Sequence, residues 1–431
     1  MLKLIGLKVI DVSATTRFMQ GRNSMRVLFV TSTYPEDIQA CRHGIYQRMK
    51  LFMEAIQDFA DLDILFYVGP GVDIAPERAA RMEKMLEEHW RCKAGVLLCR
   101  RSQNTSLPIP SNFPFSDRLK AWWFVHPYYY GAAGREQVAA FEKCLERKPD
   151  AVFVHRLTSI APILSSRKLV QPVFFDLDDI EHRAFVRGLR QPPFWPSKYL
   201  EYLKVPSLMW LERRAIALAK KTFVCSESDR DHLKRSLRLS NVVTVPNAVE
   251  MPRLCHQPET PTFLFLGSYL FPPNVAAADD LVKKIWPAVK REVPGAKLII
   301  AGKSPENIGS FHGHHDGVEF RGFVDDLDAL YRETRVVCCP IRSGSGTRIK
   351  IIEAAAYGKA IVSTFLGTEG LDFVDGQEIM LRDDRKRFAR ACIDLIKDRS
   401  LCRNIGEAAR TKAQLLYSRD TALNKIKYEM Q

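Results

Sequence analysis

Residues 27–68 set the pattern that recurs along the chain. Val27-Leu-Phe-Val-Thr31 is a run of apolar β formers that ends in the turn residues Ser32 to Pro35. From about Ile45 to Phe59 the apolar positions Met49, Phe52, Met53 and Ile56 share one helical stripe. A second apolar run, Leu62 to Val68, stops at Gly69-Pro70-Gly71. Further strands are expected at Val96–Cys99, Ala151–His155, Val173–Asp176, Thr222–Ser226 and Val242–Val245, with helices at Glu136–Arg147 and Ser207–Lys220. Short apolar strands alternating with amphipathic helices predict a mostly parallel sheet covered on both faces.

Asn247 to Pro261 is rich in proline and polar residues and reads as a linker, after which the pattern restarts. Strands are expected at Thr262–Leu266, Lys297–Ala301, Val318–Phe323, Val336–Pro340 and Ala360–Thr364. Helices are expected at Val275–Val293, Lys350–Tyr357, Arg385–Lys397 and Leu401–Leu416. The fold class is therefore α/β, with two Rossmann-like doubly wound domains facing a cleft. The expected division is an extension or misplaced start over 1–24, an N-terminal domain over 25–250, a linker over 251–261 and a C-terminal domain over 262–412. A last helix over 413–431 is expected to return to the N-terminal domain.

Charge narrows the partners. Lys and Arg number 64 against 50 Asp and Glu, a formal net charge of +14. That favours an anionic partner: nucleic acid, a membrane surface or a phosphorylated small molecule. The basic residues are dispersed and no nucleic-acid module is present, so no nucleic acid is expected. The ten cysteines form no C-x-x-C pair, and no secretory signal precedes them, which suits reduced thiols in the cytoplasm. No run reaches the ~18 apolar residues of a membrane span.

The densest chemistry lies in Cys339 to Ser363, which reads strand, glycine-rich loop, helix, glycine, strand. Gly344 and Gly346 let the backbone approach a ligand, and Thr347 is the expected N-cap. The helix that follows presents free N–H groups to an anion. Arg348 and Lys350 fall in its expected first turn, where cations are disfavoured unless an anion is bound. A phosphate or diphosphate resolves that conflict. Glu353 lies on the same helix face as Lys350, placed to accept from ribose hydroxyls or to form a plain surface pair with Lys350. Neither a Walker loop nor a G-x-G-x-x-G turn occurs, which disfavours a kinase or a dehydrogenase.

From about Phe263 to Tyr417 the chain resembles the retaining, metal-independent glycosyltransferases of family 4, which have the GT-B fold. The resemblance rests on Phe265-Leu-Gly-Ser-Tyr-Leu-Phe-Pro-Pro-Asn274, Leu298-Ile-Ile-Ala-Gly302, Val318-Glu-Phe-Arg-Gly-Phe-Val324, the Gly344–Glu353 run, and Ile361 to Leu371. The N-terminal half matches more loosely, at Thr31–Gly44, Val152–His155, Asp176–His182, Val224–Ser226 and Val245–Asn247. The resemblance implies sugar transfer from a nucleotide-diphosphate sugar, UDP or GDP, with no permanently bound cofactor and no metal. The acceptor it implies is a glycan or a lipid-linked acceptor.

It places the base at Gly322, Phe323 and Val324, the ribose at Glu353, and the diphosphate at Gly344, Ser345, Gly346, Thr347 and Arg348. Gly267, Ser268 and Gly302 belong to the same donor side; the donor-facing loop that holds Glu369 and Gly370 is read equally as a contact to sugar hydroxyls or as a simple tight turn. His155 matches the histidine that contacts the reacting sugar, and Gly44 and Asp178 stand on the acceptor side. The chain departs from the family pattern in two places, at three residues. The first of its paired glutamates is replaced by Ser345, and Ser268 and Asn274 stand near its usual arginine and lysine. Arg348 and Lys350 are expected to replace those cations as the diphosphate clamp.

Three other clusters invite a function. Asp176-Leu-Asp-Asp179 could bind a divalent cation, but helix capping or acceptor contact is the stronger expectation. His312-Gly-His-His-Asp316 reads as a polar turn between strands. Trp122–Tyr130 and Arg187–Lys204 interleave aromatics with cations, as at an anionic membrane surface, so a cytoplasmic protein peripheral to the inner membrane face is expected. Ordinary helix packing would suit them equally. The rival activities are a nucleotide-sugar epimerase or phosphorylase of the same architecture, and a basic nucleic-acid-binding protein.

Overall fold

The computed structural model describes residues 25–38, 44–101, 134–190, 194, 197–254, 257–344 and 346–431. Among them are two parallel sheets. The first contains β1 (Met25–Thr31), β2 (Ala60–Val68), β3 (Ala94–Arg100), β4 (Ala151–His155), β5 (Val173–Asp178), β6 (Lys221–Val224) and β7 (Val242–Thr244). Their spatial order is β3-β2-β1-β4-β5-β6-β7. The second contains β8 (Thr262–Leu266), β9 (Lys297–Ala301), β10 (Val318–Arg321), β11 (Val336–Cys339), β12 (Ala360–Ser363) and β13 (Met380–Leu381), in the order β10-β9-β8-β11-β12-β13. Both are doubly wound. The strand order reverses between β1 and β4 in one sheet and between β8 and β11 in the other, and ligands of such sheets bind at that crevice.

Burial explains the strand sequences. Parallel strands covered on both faces need apolar side chains at successive positions rather than alternating ones. Val27 to Val30 and Ala151 to Val154 are all buried, and they divide between two cores, one on each face of the sheet. Phe153 stacks on Phe29 at 4.9 Å and meets Phe52 of helix Gly44–Gln57 at 4.8 Å. The second domain has one core that runs from Phe263 to Tyr417.

Helix Arg419–Met430 packs on the first domain, where Ala422, Leu423, Ile426 and Met430 join the core containing Phe52. Arg419 and Lys427 also pair with Glu54 and Asp58 of the first domain. The chain thus crosses between domains twice, and the two crossings lie side by side: Val249 N donates to Tyr417 O and Arg419 N donates to Val249 O, both at 3.0 Å.

Three expectations need correction. The helix foreseen over Val275–Val293 begins at Pro272, widens into a π segment at Leu281–Ile285 and restarts at Trp286. Pro287 has no N–H to continue the α ladder, and the π turn absorbs the break. The strand foreseen to Ser226 stops at Val224, because the Ser226 hydroxyl accepts from Asp229 N and caps the next helix. The N-cap position of helix Glu181–Leu189 falls on Ile180, which makes no side-chain cap, and not on a residue of the Asp176–Asp179 run.

Candidate active site

Glycines close the strand ends of the second sheet. Gly267 follows β8, Gly302 follows β9 and Gly322 follows β10; Gly267 N donates to Ala301 O and Gly302 N to Gly322 O, both at 3.0 Å. A Cβ on Gly302 would stand 1.7 Å from the Gly267 carbonyl oxygen, at a φ of 137°. Any side chain there must part the two strands. Gly302→Ala is expected to cost on the order of 3 kcal/mol, read from the urea midpoint.

Gly267 keeps space for a different reason. A Cβ there would lie 2.9 Å from both Lys350 Nζ and Asn274 Nδ2. Lys350 reaches across the strand ends, donates to Asn274 Oδ1 at 2.8 Å and rests 4.5 Å over the Phe265 ring. Asn274 in turn donates to Ser268 O. Ser268, Asn274 and Lys350 therefore meet one another. Burial lowers its pKa to about 8. Lys350 thus turns to Asn274 rather than to Glu353, whose carboxyl, one turn along, burial pushes upward.

The loop after β11 differs in detail from its expected form. Gly344 and Gly346 have φ of 90° and 80°, left-handed values that glycine adopts without strain. Ser345 lies outside the described residues. Thr347 is not the N-cap. Arg348 occupies that position, with φ −90° and ψ 93°, and the helix spans Ile349–Ala356. Arg348 is therefore not in the first turn. Its guanidinium folds back on the loop, donating to Gly346 O at 2.6 Å and Ser343 O at 3.3 Å. It is 8% exposed, and burial pulls its pKa below the usual range. Both cations thus turn into the protein, where charge is costly without a counter-ion.

The first domain forms the facing wall. A Cβ on Gly44 would meet Ile349 Cδ1 at 2.9 Å, and one on Gly346 would meet Asp179 Oδ2 at 3.7 Å. Asp179, Arg183, Arg187, Ser226, Ser228 and Asp229 line a crevice with Gly346, Thr347, Glu369 and Gly370. Glu369 is gripped by Arg187 and by Arg183, which also holds Asp229 at 2.9 Å. It is thus committed to an ion pair between the domains. A separate depression on the first domain, lined by Glu36, Asp73, Glu77, Arg78 and Arg81 among others, includes none of these residues.

Beneath that wall lies a charged cluster. His155 ends β4 opposite Thr31 of β1, at the point of strand reversal. It is fully buried, with Nδ1 3.1 Å from Thr31 Oγ1 and Nε2 3.7 Å from Asp176 Oδ2. Burial depresses its pKa to about 3, so the ring is neutral near pH 7. The structure does not bring it to the cleft surface. Arg48 is also fully buried and donates to Asp176 through Nε at 3.0 Å and Nη2 at 2.7 Å. Burial alone would lower the Arg48 pKa, but Asp176, Cys225 and Asp178 hold it above its ordinary value. Asp178 accepts from Cys225 Sγ at 3.3 Å. Burial would raise its carboxyl, yet Arg156 and Arg48 keep it low. Asp178 and Arg156 have φ of 62° and 67°, strain of a kind that clusters at functional sites.

Base-side and surface residues complete the inventory. Phe323, between Gly322 and Val324, is 53% exposed beyond β10. His315 Nε2 lies 3.1 Å from Ser310 O and His312 meets the Phe311 ring, so the histidine-rich turn is tied locally. Phe194, Tyr199, Leu200 and Leu203 are exposed, with Lys198 5.4 Å over the Phe194 ring. Trp122–Tyr130 lies outside the described residues. Eight cysteines are free and buried among the described residues.

Sequence reasoning missed Arg48 and Arg183, read Arg187 only as the edge of a membrane-facing patch where the structure pairs it with Glu369, and did not assign Asn247 a contact. Arg48 left one trace: a cation four residues before Phe52 on an otherwise apolar helix stripe.

Residues 260–398 match the family model described as Glycosyl transferases group 1. An uncharacterized 44.6 kDa protein in the cps region of Klebsiella pneumoniae is 26% identical over 143 residues, covering 31% of this chain and 37% of the relative. A phosphatidyl-myo-inositol mannosyltransferase of Mycolicibacterium smegmatis is 28% identical over 178 residues, covering 38% of this chain and 45% of the relative. The matched region thus spans less than half of these relatives. Likeness in fold is wider. Sucrose-phosphate synthase of Thermosynechococcus elongatus superposes with a TM-score of 0.61 at 15% identity, over 94% of this chain and 98% of that one. The Anabaena protein HepE, solved with UDP, gives 0.62 at 13% identity over 94% and 99%. The two parallel-sheet domains are a GT-B fold.

Proposed function

We propose that the protein is a retaining, metal-independent glycosyltransferase of family 4 that takes its sugar from a nucleoside-diphosphate sugar. The observation that carries this reading is the convergence of Arg348 and Lys350, both turned inward, on the strand-end crevice beside Gly267 and Gly344. Two desolvated cations at a helix start suit a pyrophosphoryl leaving group, whose growing charge they neutralise without a metal. The group 1 domain and the UDP-bound neighbour of like fold support the same donor class. In this reading Phe323 meets the base, Glu353 the ribose, and Glu369 the sugar hydroxyls once Arg183 and Arg187 release it. His155, neutral and buried, orients Thr31 and Asp176 rather than moving a proton. Gly44 and Asp178 stand on the acceptor side.

The acceptor in this reading is a growing glycan or a lipid-linked sugar at the inner face of the membrane. The mannosyltransferase relative named for a phosphatidyl-inositol and the exposed Phe194, Tyr199, Leu200, Tyr202 and Leu203 support it. No described helix is long and apolar enough to cross a membrane. A thermal-shift panel of UDP, GDP and ADP tests the donor class. At ~100-fold over the dissociation constant the cognate nucleotide should add about 2.7 kcal/mol of stability, and the other two clearly less. No shift with any of them would remove the reading.

A further inference from the structure

A hydrogen-bonded chain runs from the buried cluster of the first domain to the loop after β11. Asn247 lies just beyond β7, where the chain leaves the first sheet, and is 8% exposed. Arg48 Nη1 donates to Val245 O at 2.9 Å and to Asn247 Oδ1 at 3.3 Å, while its other nitrogens hold Asp176. A guanidinium can only donate, so the carbonyl end of the Asn247 amide must face Arg48. The NH2 end then points the other way, and Nδ2 donates to Thr347 Oγ1 across the domain boundary.

The Thr347 methyl approaches Gly370 closely. A Cβ on Gly370, at φ 78°, would stand 2.9 Å from Thr347 Cγ2 and 3.2 Å from Ser226 Cβ. The methyl is thus seated against Gly370 and the hydroxyl against Asn247. A hydroxyl has one proton. With its oxygen accepting from Asn247, that proton is directed to another acceptor.

We propose that Asn247 is a positioning residue for the donor: held by Arg48, it fixes the polarity of the Thr347 hydroxyl so that its proton is donated to the diphosphate. This rests on the reading of Gly344–Arg348 as the diphosphate loop. From Arg48 onward the donors point one way, Arg48 to Asn247 and Asn247 to Thr347, with Arg48 anchored on its other side by donating to Asp176, and each bond polarises the next. It also makes the phosphate contact depend on the seating of the two domains, because Asn247 belongs to the first crossing and Thr347 to the second domain.

The test compares wild type with N247D, N247A, T347V and the double variant N247A/T347V. Isothermal titration measures the affinity for UDP, GDP or ADP, whichever binds wild type, and for its free nucleoside; melting is recorded for each protein. N247D is the decisive change. It is isosteric and keeps a partner for Arg48, but its carboxylate can only accept, so it takes the Thr347 proton and adds negative charge. The expected loss is tenfold or more for the diphosphate, as for an interaction with a charged group, with nucleoside affinity unchanged. N247A should lose less than N247D, and the double variant should lose no more than T347V alone. The proposal is overturned if N247D binds the diphosphate like wild type, if the nucleoside weakens equally, or if the N247A and T347V losses add. If wild type binds none of the three diphosphates, the donor-site reading itself fails and takes this inference with it.

Discussion

Replacing Arg348 and Lys350 together with alanine is expected to lower kcat/KM, or nucleoside-diphosphate affinity where the acceptor is not in hand, by at least ~10³-fold. Removing one preorganised donor from a developing oxyanion costs about 10²–10³ on its own. Here both groups are desolvated, so neither is replaced by bulk water at no cost. Lys350 adds a pH signature. Its pKa near 8 means it is charged below that value and loses its charge as the pH rises through it. Donor affinity should therefore hold steady below pH 7.5 or so and fall by about tenfold per unit above pH 8, until the raised pKa of the bound state is passed. Arginine at position 350 stays charged and should flatten the profile, even though its fork does not reproduce the ammonium geometry. Calorimetric titration with UDP or GDP between pH 6.5 and 9.5 reads both effects. An unchanged affinity in the double alanine variant would refute the clamp.

Replacing Arg48 with methionine should destabilise the protein by roughly 3–5 kcal/mol, because it leaves Asp176 buried without its counter-charge. The pair itself need not be worth that much. Desolvating two charges offsets most of their attraction, and the cost arises when one is stranded. The double change Arg48→Met with Asp176→Asn should therefore recover a large part of the loss, which separates a stranded charge from lost packing. Asp176 and Arg48 are both fully buried, so solvent screening does not discount the estimate. Urea unfolding followed by tryptophan fluorescence gives the numbers. A single variant within 1 kcal/mol or so of wild type would show that water reaches the cluster.

The strands were the most legible part of the chain. Ala151–His155, Thr262–Leu266 and Lys297–Ala301 have the bounds that their apolar runs suggest. A strand buried on both faces reads as a near-continuous apolar run bounded by turn residues. Helices that show a weaker stripe were harder to find. Pro76–Trp90 has only Met82, Leu86 and Trp90 buried, and Glu227–Leu237 only Leu233 and Leu237. At the candidate site, Gly344 and Gly346 were readable because a left-handed backbone leaves a local mark, whereas the helix start was placed one residue too early, so that Arg348 rather than Thr347 is the cap. The partners Arg48, Arg183 and Arg187 were not readable. Each lies far along the chain from the residue it serves, and Arg187 and Glu369 are joined only by the seating of one domain on the other.

By itself the sequence determined the fold class, through the period of its apolar positions, and it marked residues 344–353 as the densest run of candidate chemistry. The tertiary structure decided where the charges go. It turned Arg348 back onto its own loop, sent Lys350 to Asn274, locked Glu369 between two arginines and buried His155. Desolvation and long-range pairing set those outcomes, and neither is written in the order of residues along the chain.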